Sequence, residues 1–125
     1  MHGGSGLRVL VVEDELILAM ELERLLAGLG HAVLGPVPTV GRALRLLAWQ
    51  RPDAALLDVN LGGESATPVA AALLERGVPF VLVTGYGGEQ LKEAVLRDAR
   101  RLGKPVDGRR LGRLLAEIAG RPGGG

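Results

Sequence analysis

Short apolar runs and longer amphipathic stretches alternate five times along this chain, and that alternation leaves few folds open. Leu7–Val12 is hydrophobic except for Arg8 and rich in β-branched residues, which suits a strand covered on both faces. Glu15–Leu29 follows, with Leu18, Leu22, Leu25, Leu26 and Leu29 at helical spacing and Gly28 and Gly30 closing the helix. Ala32–Val37 reads as a second strand stopped by Pro36 and Pro38. Thr39 then caps a helix over Val40–Gln50 with Ala43, Leu44 and Leu47 inward, and Pro52 ends it. Ala54–Asp58 is the third strand, and Asn60-Leu61-Gly62-Gly63 is a loop. A helix near Ser65–Arg76 tolerates Pro68 in its first turn. Pro79–Val83 is the fourth strand, followed by a flexible Gly85–Gly88 loop and a helix at about Glu89–Asp98. Residues 99–103 form a weak fifth strand whose poor apolar content suits a sheet edge. After Pro105 a last helix carries Leu111, Leu114, Leu115 and Ile118.

Five strand–helix units predict an α/β fold of three layers with a parallel sheet. Right-handed crossovers allow few strand orders, and a flavodoxin-like (βα)5 arrangement, order 2-1-3-4-5, suits the length. With 125 residues, 47% of them hydrophobic, one folded domain is expected over residues 7–119. Residues 1–6 read as a flexible leader and 120–125 as a flexible tail.

Composition removes several classes of function. No cysteine is present, so disulfides, thiolate nucleophiles and cysteine-held metals are excluded. Two histidines are too few for an imidazole metal site, and aromatics at 2% cannot build a stacking platform for single-stranded nucleic acid. No apolar run is long enough to cross a bilayer and no signal peptide is legible, so a cytoplasmic location without membrane contact is expected. The net charge of +1 hides an asymmetry: residues 97–125 carry eight basic groups against Asp98, Asp107 and Glu117. That basic end reads either as a solvated helix face or as a docking surface for an acidic partner, and nucleic acid is poorly supported.

In such a sheet the site lies beyond the carboxyl ends of the strands. The first strand ends in Glu13-Asp14-Glu15, the third in Asp58, the fourth in Thr84 and the fifth in Lys104-Pro105. Because the first and third strands are neighbours in this order, Glu13, Asp14 and Asp58 converge. Clustered carboxylates repel unless a cation screens them or a proton is taken up, and Mg²⁺ is suited to one or two carboxylates, waters and phosphate oxygens. Acids after a first strand also serve as helix N-terminal charges, and a lone Asp after a strand is often a turn residue. Here, however, an acid cluster, a hydroxyl and an ammonium meet at four strand ends. Lys104 is one of only two lysines against 13 arginines, and a compact point charge stands where a phosphate would want it. The set suits phosphoryl transfer to the Asp58 carboxylate, with Lys104, Thr84 and the metal offsetting charge on the phosphoryl oxygens.

Val11-Val12-Glu13-Asp14-Glu15, Leu57-Asp58-Val59-Asn60-Leu61, Val83-Thr84-Gly85 and Lys104-Pro105 together resemble the receiver domain of two-component response regulators. The resemblance covers about residues 7–119. It implies that Asp58 accepts a phosphoryl group from a phosphohistidine on a sensor histidine kinase or a histidine phosphotransfer protein, and that the phosphorylated state alters binding of a downstream protein. It implies Mg²⁺ (or Mn²⁺) held by Asp14, Asp58 and the backbone carbonyl of Asn60, with Glu13 acting mainly through a water. Lys104 then contacts the phosphoryl group and Thr84 moves toward it. The chain would be a signalling module and not an enzyme in its own right. The face formed by the fourth helix, fifth strand and fifth helix is the family's usual pairing surface and the candidate for a homodimer.

One position departs from the pattern. Where receivers place Tyr or Phe three residues before the lysine, this chain has Arg101. Leu82-Val83-Thr84-Gly85-Tyr86-Gly87 is similar to an alphaproteobacterial single-domain subclass with Phe-Ala-Thr-Gly after the fourth strand, and Tyr86 with the Gly85–Gly88 loop becomes the expected route for the signal. The alternatives are a degenerate receiver acting without phosphate and a receiver excised from a hybrid kinase and serving as a phosphate sink. A haloacid dehalogenase-like phosphatase is remote, since Asn60 stands where that family needs a second Asp as general acid. A flavin or nucleotide module is disfavoured by Glu13-Asp14-Glu15 where a phosphate-cradling loop would be.

Overall fold

The computed structural model of the chain describes residues 6–85, 94–97 and 99–119. Its elements run β1 (Arg8–Val12), α1 (Leu16–Gly28), β2 (Ala32–Val37), α2 (Val40–Trp49) and β3 (Ala54–Asp58). They continue with β4 (Asn60–Leu61), β5 (Glu64–Ser65), α3 (Thr67–Glu75), β6 (Phe80–Thr84), α4 (Ala94–Arg97), β7 (Arg100–Gly103) and α5 (Gly108–Ala119). The main sheet has the order β2-β1-β3-β6-β7, and every pairing in it is parallel. That is the expected 2-1-3-4-5 order, because β4 and β5 pair only with each other.

Alternation along the strands divides the core into two layers, as successive side chains point to opposite faces. Val9, Val11, Leu56, Val81, Val83 and Leu102 pack with Leu22 and Leu26 of α1 and Leu111 and Leu115 of α5. Leu10, Val12, Leu57 and Leu82 face the other way, against Ala43 and Leu47 of α2, Val69 and Leu73 of α3 and Leu96 of α4. The sheet is thus covered on both faces, which explains why β3 and β6 are buried at every residue.

Several helix ends follow from single residues. The Thr39 side chain accepts a hydrogen bond from the Arg42 N–H at 3.1 Å, capping α2 as its hydroxyl predicts. At the end of α1, His31 N–H reaches the Leu26 carbonyl and Gly30 N–H the Ala27 carbonyl. This closing arrangement needs a left-handed residue, and Gly30 supplies it with φ of +90°.

β2 covers the expected Ala32–Val37, with Pro36 inside the strand. It is an edge strand, and its register with β1 slips between the Leu10–Leu34 and Val12–Val37 pairs. At such a bulge the missing proline N–H costs no ladder bond. The Asn60–Ser65 stretch is a small antiparallel hairpin rather than a loop, with Gly62 and Gly63 both at positive φ in its turn. Leu44 is not inward: Ala43 and Leu47 are buried one turn apart and Leu44 lies on the exposed side of that stripe. Leu29, expected on the apolar face of α1, falls beyond the helix end and is also exposed. Tyr86, most of the Gly85–Gly88 loop, most of the expected helix at Glu89–Asp98 and the termini 1–5 and 120–125 lie outside the described residues.

Candidate functional site

Register places the site. Val12 pairs with Leu57, Asp58 with Val83, and Thr84 with Gly103, so the carboxyl ends of β1, β3, β6 and β7 finish level with one another. The next residues or last residues of these strands are Glu13, Asp58, Thr84 and Lys104. The Lys104 N–H donates to the Thr84 carbonyl at 2.9 Å and the Glu13 N–H to the Val37 carbonyl at 3.0 Å, which ties both flanking loops to the sheet.

Glu13, Asp58 and Thr84 are buried, while Asp14 is exposed. Carboxylate oxygens of Glu13, Asp14 and Asp58 all lie within 4.8 Å of one another. Above them opens a cavity of about 360 Å³ lined by Asp14, Glu15, Asp58, Asn60, Gly62, Gly85 and Lys104. The β4–β5 hairpin forms one wall. The Asn60 N–H donates to Asp58 Oδ1 at 3.2 Å, and the Asn60 side chain accepts from the Gly63 N–H at 3.0 Å. A Cβ on Gly62 would stand 3.6 Å from Asp14 Oδ2, and φ there is +61°, so glycine brings the hairpin close to the acids.

Electrostatics at the floor are dominated by crowding. Burial raises the Glu13 pKa from 4.5 to about 8, reinforced by the neighbouring Asp58 carboxylate. The Glu15 N–H donates to Glu13 Oε2 at 3.1 Å and partly offsets this. Glu13 Oε1 is buried with no hydrogen-bond partner among the described residues. A buried oxygen of this kind is costly unless a proton or cation satisfies it. Three convergent oxygen ligands with one lone pair unmet fit a hard divalent cation, which prefers carboxylates, carbonyls and water. Lys104 Nζ stands 3.7 Å from Asp58 Oδ2. Burial pulls the ammonium down, but Asp58, Glu13 and Glu15 outweigh it and its pKa is raised.

All of Glu13, Asp14, Asp58, Asn60, Thr84 and Lys104 are therefore brought to one end of the sheet. Arg101 is half-buried on β7 and does not line the cavity. Glu15 was not singled out by its sequence position, yet it lines the cavity and accepts a hydrogen bond from Lys104 Nζ at 3.3 Å. Those residues are 89 apart in sequence, so only the fold reveals the pair. Leu16, Ile17 and Met20 of α1 are exposed, and a shallow depression beside the acids is lined by Glu13, Asp14, Leu16, Met20 and Arg42 among others. Apolar residues of α1 at positions facing away from the sheet were the available signal.

Comparison with known proteins agrees with this geometry. The chain is 40% identical to SdrG from Sphingomonas melonis Fr1, whose solution structure aligns with a TM-score of 0.81 over 93% of this chain and 98% of that one. It is 27% identical to the receiver domain of the sensor histidine kinase PA1611 from Pseudomonas aeruginosa PAO1. That crystal structure has a magnesium ion coordinated in the active-site cleft and aligns with a TM-score of 0.80 over 93% of this chain and 99% of that one. Among curated relatives, the phyllosphere-induced regulator PhyR of Methylorubrum extorquens is 37% identical over 81 residues, 62% of this chain and 30% of that protein. The positive alginate biosynthesis regulatory protein of Pseudomonas aeruginosa is 34% identical over 120 residues, 93% of this chain and 48% of that protein. The chain thus spans less than half the length of these curated relatives. Among the described residues no helix is long and apolar enough to cross a membrane. The response regulator receiver domain matches residues 9–116, nearly the whole chain, and the chain belongs to that family.

Proposed function

We propose that this chain is a phosphoacceptor in a two-component phosphorelay, with Asp58 taking a phosphoryl group from a phosphohistidine on a sensor kinase or phosphotransfer protein. The observation that carries this reading is the buried Asp58 carboxylate at the floor of an open cavity, with Lys104 at 3.7 Å and the Glu13 and Asp14 carboxylates beside it. An Asp58 oxygen attacks phosphorus, the phosphorus–nitrogen bond breaks, and the imidazole leaves as the acyl phosphate forms. Lys104 offers its ammonium to the phosphoryl oxygens, and the Thr84 hydroxyl at the end of β6 offers a further hydrogen bond. Asp14, Asp58 and the Asn60 carbonyl would hold Mg²⁺, with Glu13 acting through a water. The ion's chemistry when bound is to offset charge on the phosphoryl oxygens and to satisfy the crowded acids.

The exposed Leu16 and Met20, which share a depression with Glu13 and Asp14, support approach of a protein donor, since exposed apolar residues beside charged ones favour a partner over bulk water. With Arg101 at the position the family gives to an aromatic, the phosphorylation signal runs through Tyr86 to a downstream protein. The test is intact mass after incubation with Mg²⁺ and a small phosphodonor such as acetyl phosphate. One phosphoryl group is expected on the wild type and none on Asp58→Ala. Modification that persists in Asp58→Ala removes Asp58 from the assignment.

A further inference from the structure

We infer that Glu15 is a charge filter at the mouth of the Asp58 cavity, selecting against small phosphodonors in proportion to their negative charge. This rests on the reading of Asp58 as phosphoacceptor and adds to it which donors the cavity disfavours.

Glu15 is the N-cap residue of α1, with extended backbone, yet its side chain makes no capping hydrogen bond. Its carboxylate is therefore not employed by the helix. It turns to the cavity instead, where it accepts a hydrogen bond from Lys104 Nζ at 3.3 Å, shorter than the 3.7 Å from Lys104 to Asp58. The Glu15 side chain is 64% exposed against 24% for Lys104, so it sits at the rim while the ammonium lies deeper. Among the described residues lining the cavity, Lys104 is the cation, and the other charged groups are Asp14, Glu15 and Asp58. An incoming phosphoryl group has to take Lys104 away from Glu15 and must also pass a fixed negative charge. The first cost is the same for every donor, whereas the second grows with the donor's negative charge. A donor docked on a protein surface brings its own contacts to offset them, whereas a free small anion does not.

An acid at a helix N-terminus is also favoured by the helix dipole. That role alone predicts a change in stability on substitution and no change in preference among donors. The experiment compares phosphorylation rate constants for acetyl phosphate, a dianion, and phosphoramidate, which carries one net negative charge, at saturating Mg²⁺ and low ionic strength. Glu15→Gln should raise the acetyl phosphate rate about fivefold and the phosphoramidate rate about twofold, because the interaction scales with donor charge. The difference should shrink at high salt, and Glu15→Asp, which keeps the charge, should stay near the wild-type ratio. An unchanged ratio of the two rates in Glu15→Gln overturns the filter, whatever happens to each rate alone. If the wild type takes phosphate from neither donor, or Asp58→Ala takes it equally well, the phosphoacceptor reading itself fails. The two failures are thereby distinguishable.

Discussion

Glu13 shows how much one buried carboxyl can do. It lies against Asp58 with one oxygen unpartnered, and its pKa is raised from 4.5 to about 8. Without metal, the folded chain therefore holds a proton between those values that the unfolded chain has released. Stability from this group is greatest below the unfolded value, falls as pH rises from about 4.5 to about 8, and is level above. The melting temperature in chelator should decline across that window in the wild type and decline much less in Glu13→Gln, which stays neutral throughout. The difference between the two proteins at pH 9 should be about 2–4 kcal/mol. Parallel pH profiles for the two would show that Glu13 is not the group responsible. Lys104 cannot imitate the effect, because its pKa is raised and its contribution fades only above the ordinary lysine value of 10.5. His31 works in the opposite sense. Burial lowers its pKa, and its Nδ1 accepts a hydrogen bond from the Leu7 N–H at 3.0 Å. Its contribution is present above the unfolded value of 6.5 and is lost as pH falls below it. Below pH 6.5 the wild type should therefore lose stability faster than His31→Gln, as seen by denaturant titration at several pH values.

Among the elements, glycine has opposite meanings at two positions. Gly35 has φ of +91°, and a Cβ there would stand 2.8 Å from the Val37 nitrogen and 3.1 Å from the Val11 carbonyl oxygen. Gly41, in the first turn of α2, meets nothing within 4 Å. Gly35→Ala should destabilise the fold by roughly 1–3 kcal/mol, while Gly41→Ala should stabilise it by about 0.5 kcal/mol. Equal shifts in the urea midpoint for the two variants would contradict this account of β2. The same strand shows where sequence reasoning stops. Periodicity reveals a strand from Ala32 and the expected order already makes β2 an edge, but the register slip around Pro36 exists only once the strands are paired. Gly62-Gly63 is a hairpin signal in its own right, yet the flanking strands are two residues each and show no alternation to read. β7 was legible as an edge from its weak apolar content, and the signal route around Arg101 was not. If that route passes through Tyr86, Tyr86→Ala should lower the affinity of the beryllofluoride-treated protein for its partner about tenfold in a pull-down titration, with untreated binding unchanged. Equal affinities would place the route elsewhere.

At the scale of the whole molecule, strand order and site are one fact. Leu10, Leu57 and Leu82 could be recognised as core residues singly, but only the order β2-β1-β3-β6-β7 sets β1 beside β3 and so brings Glu13 and Asp14 to Asp58. The acids were legible because that order follows from connection rules; the Lys104–Glu15 pair was not, because side-chain reach at a rim is invisible in a pattern. Convergence of charges exists only in the folded chain, so a cation that binds them binds the native state and not the unfolded one. Binding then stabilises the fold by mass action, about 1.4 kcal/mol at tenfold excess over Kd. For a chain of 125 residues that corresponds to a rise in melting temperature of ~5 °C. Asp58→Asn removes one ligand charge and one repulsive charge together. It should therefore melt higher than the wild type in chelator, and gain much less on addition of millimolar Mg²⁺. The crossing of those two effects is the informative result, because general loss of stability would lower both values. If the wild type melts at the same temperature with and without Mg²⁺ up to 20-fold above the Kd measured by titration calorimetry, the ion does not use this cluster (expected gain about 1.8 kcal/mol).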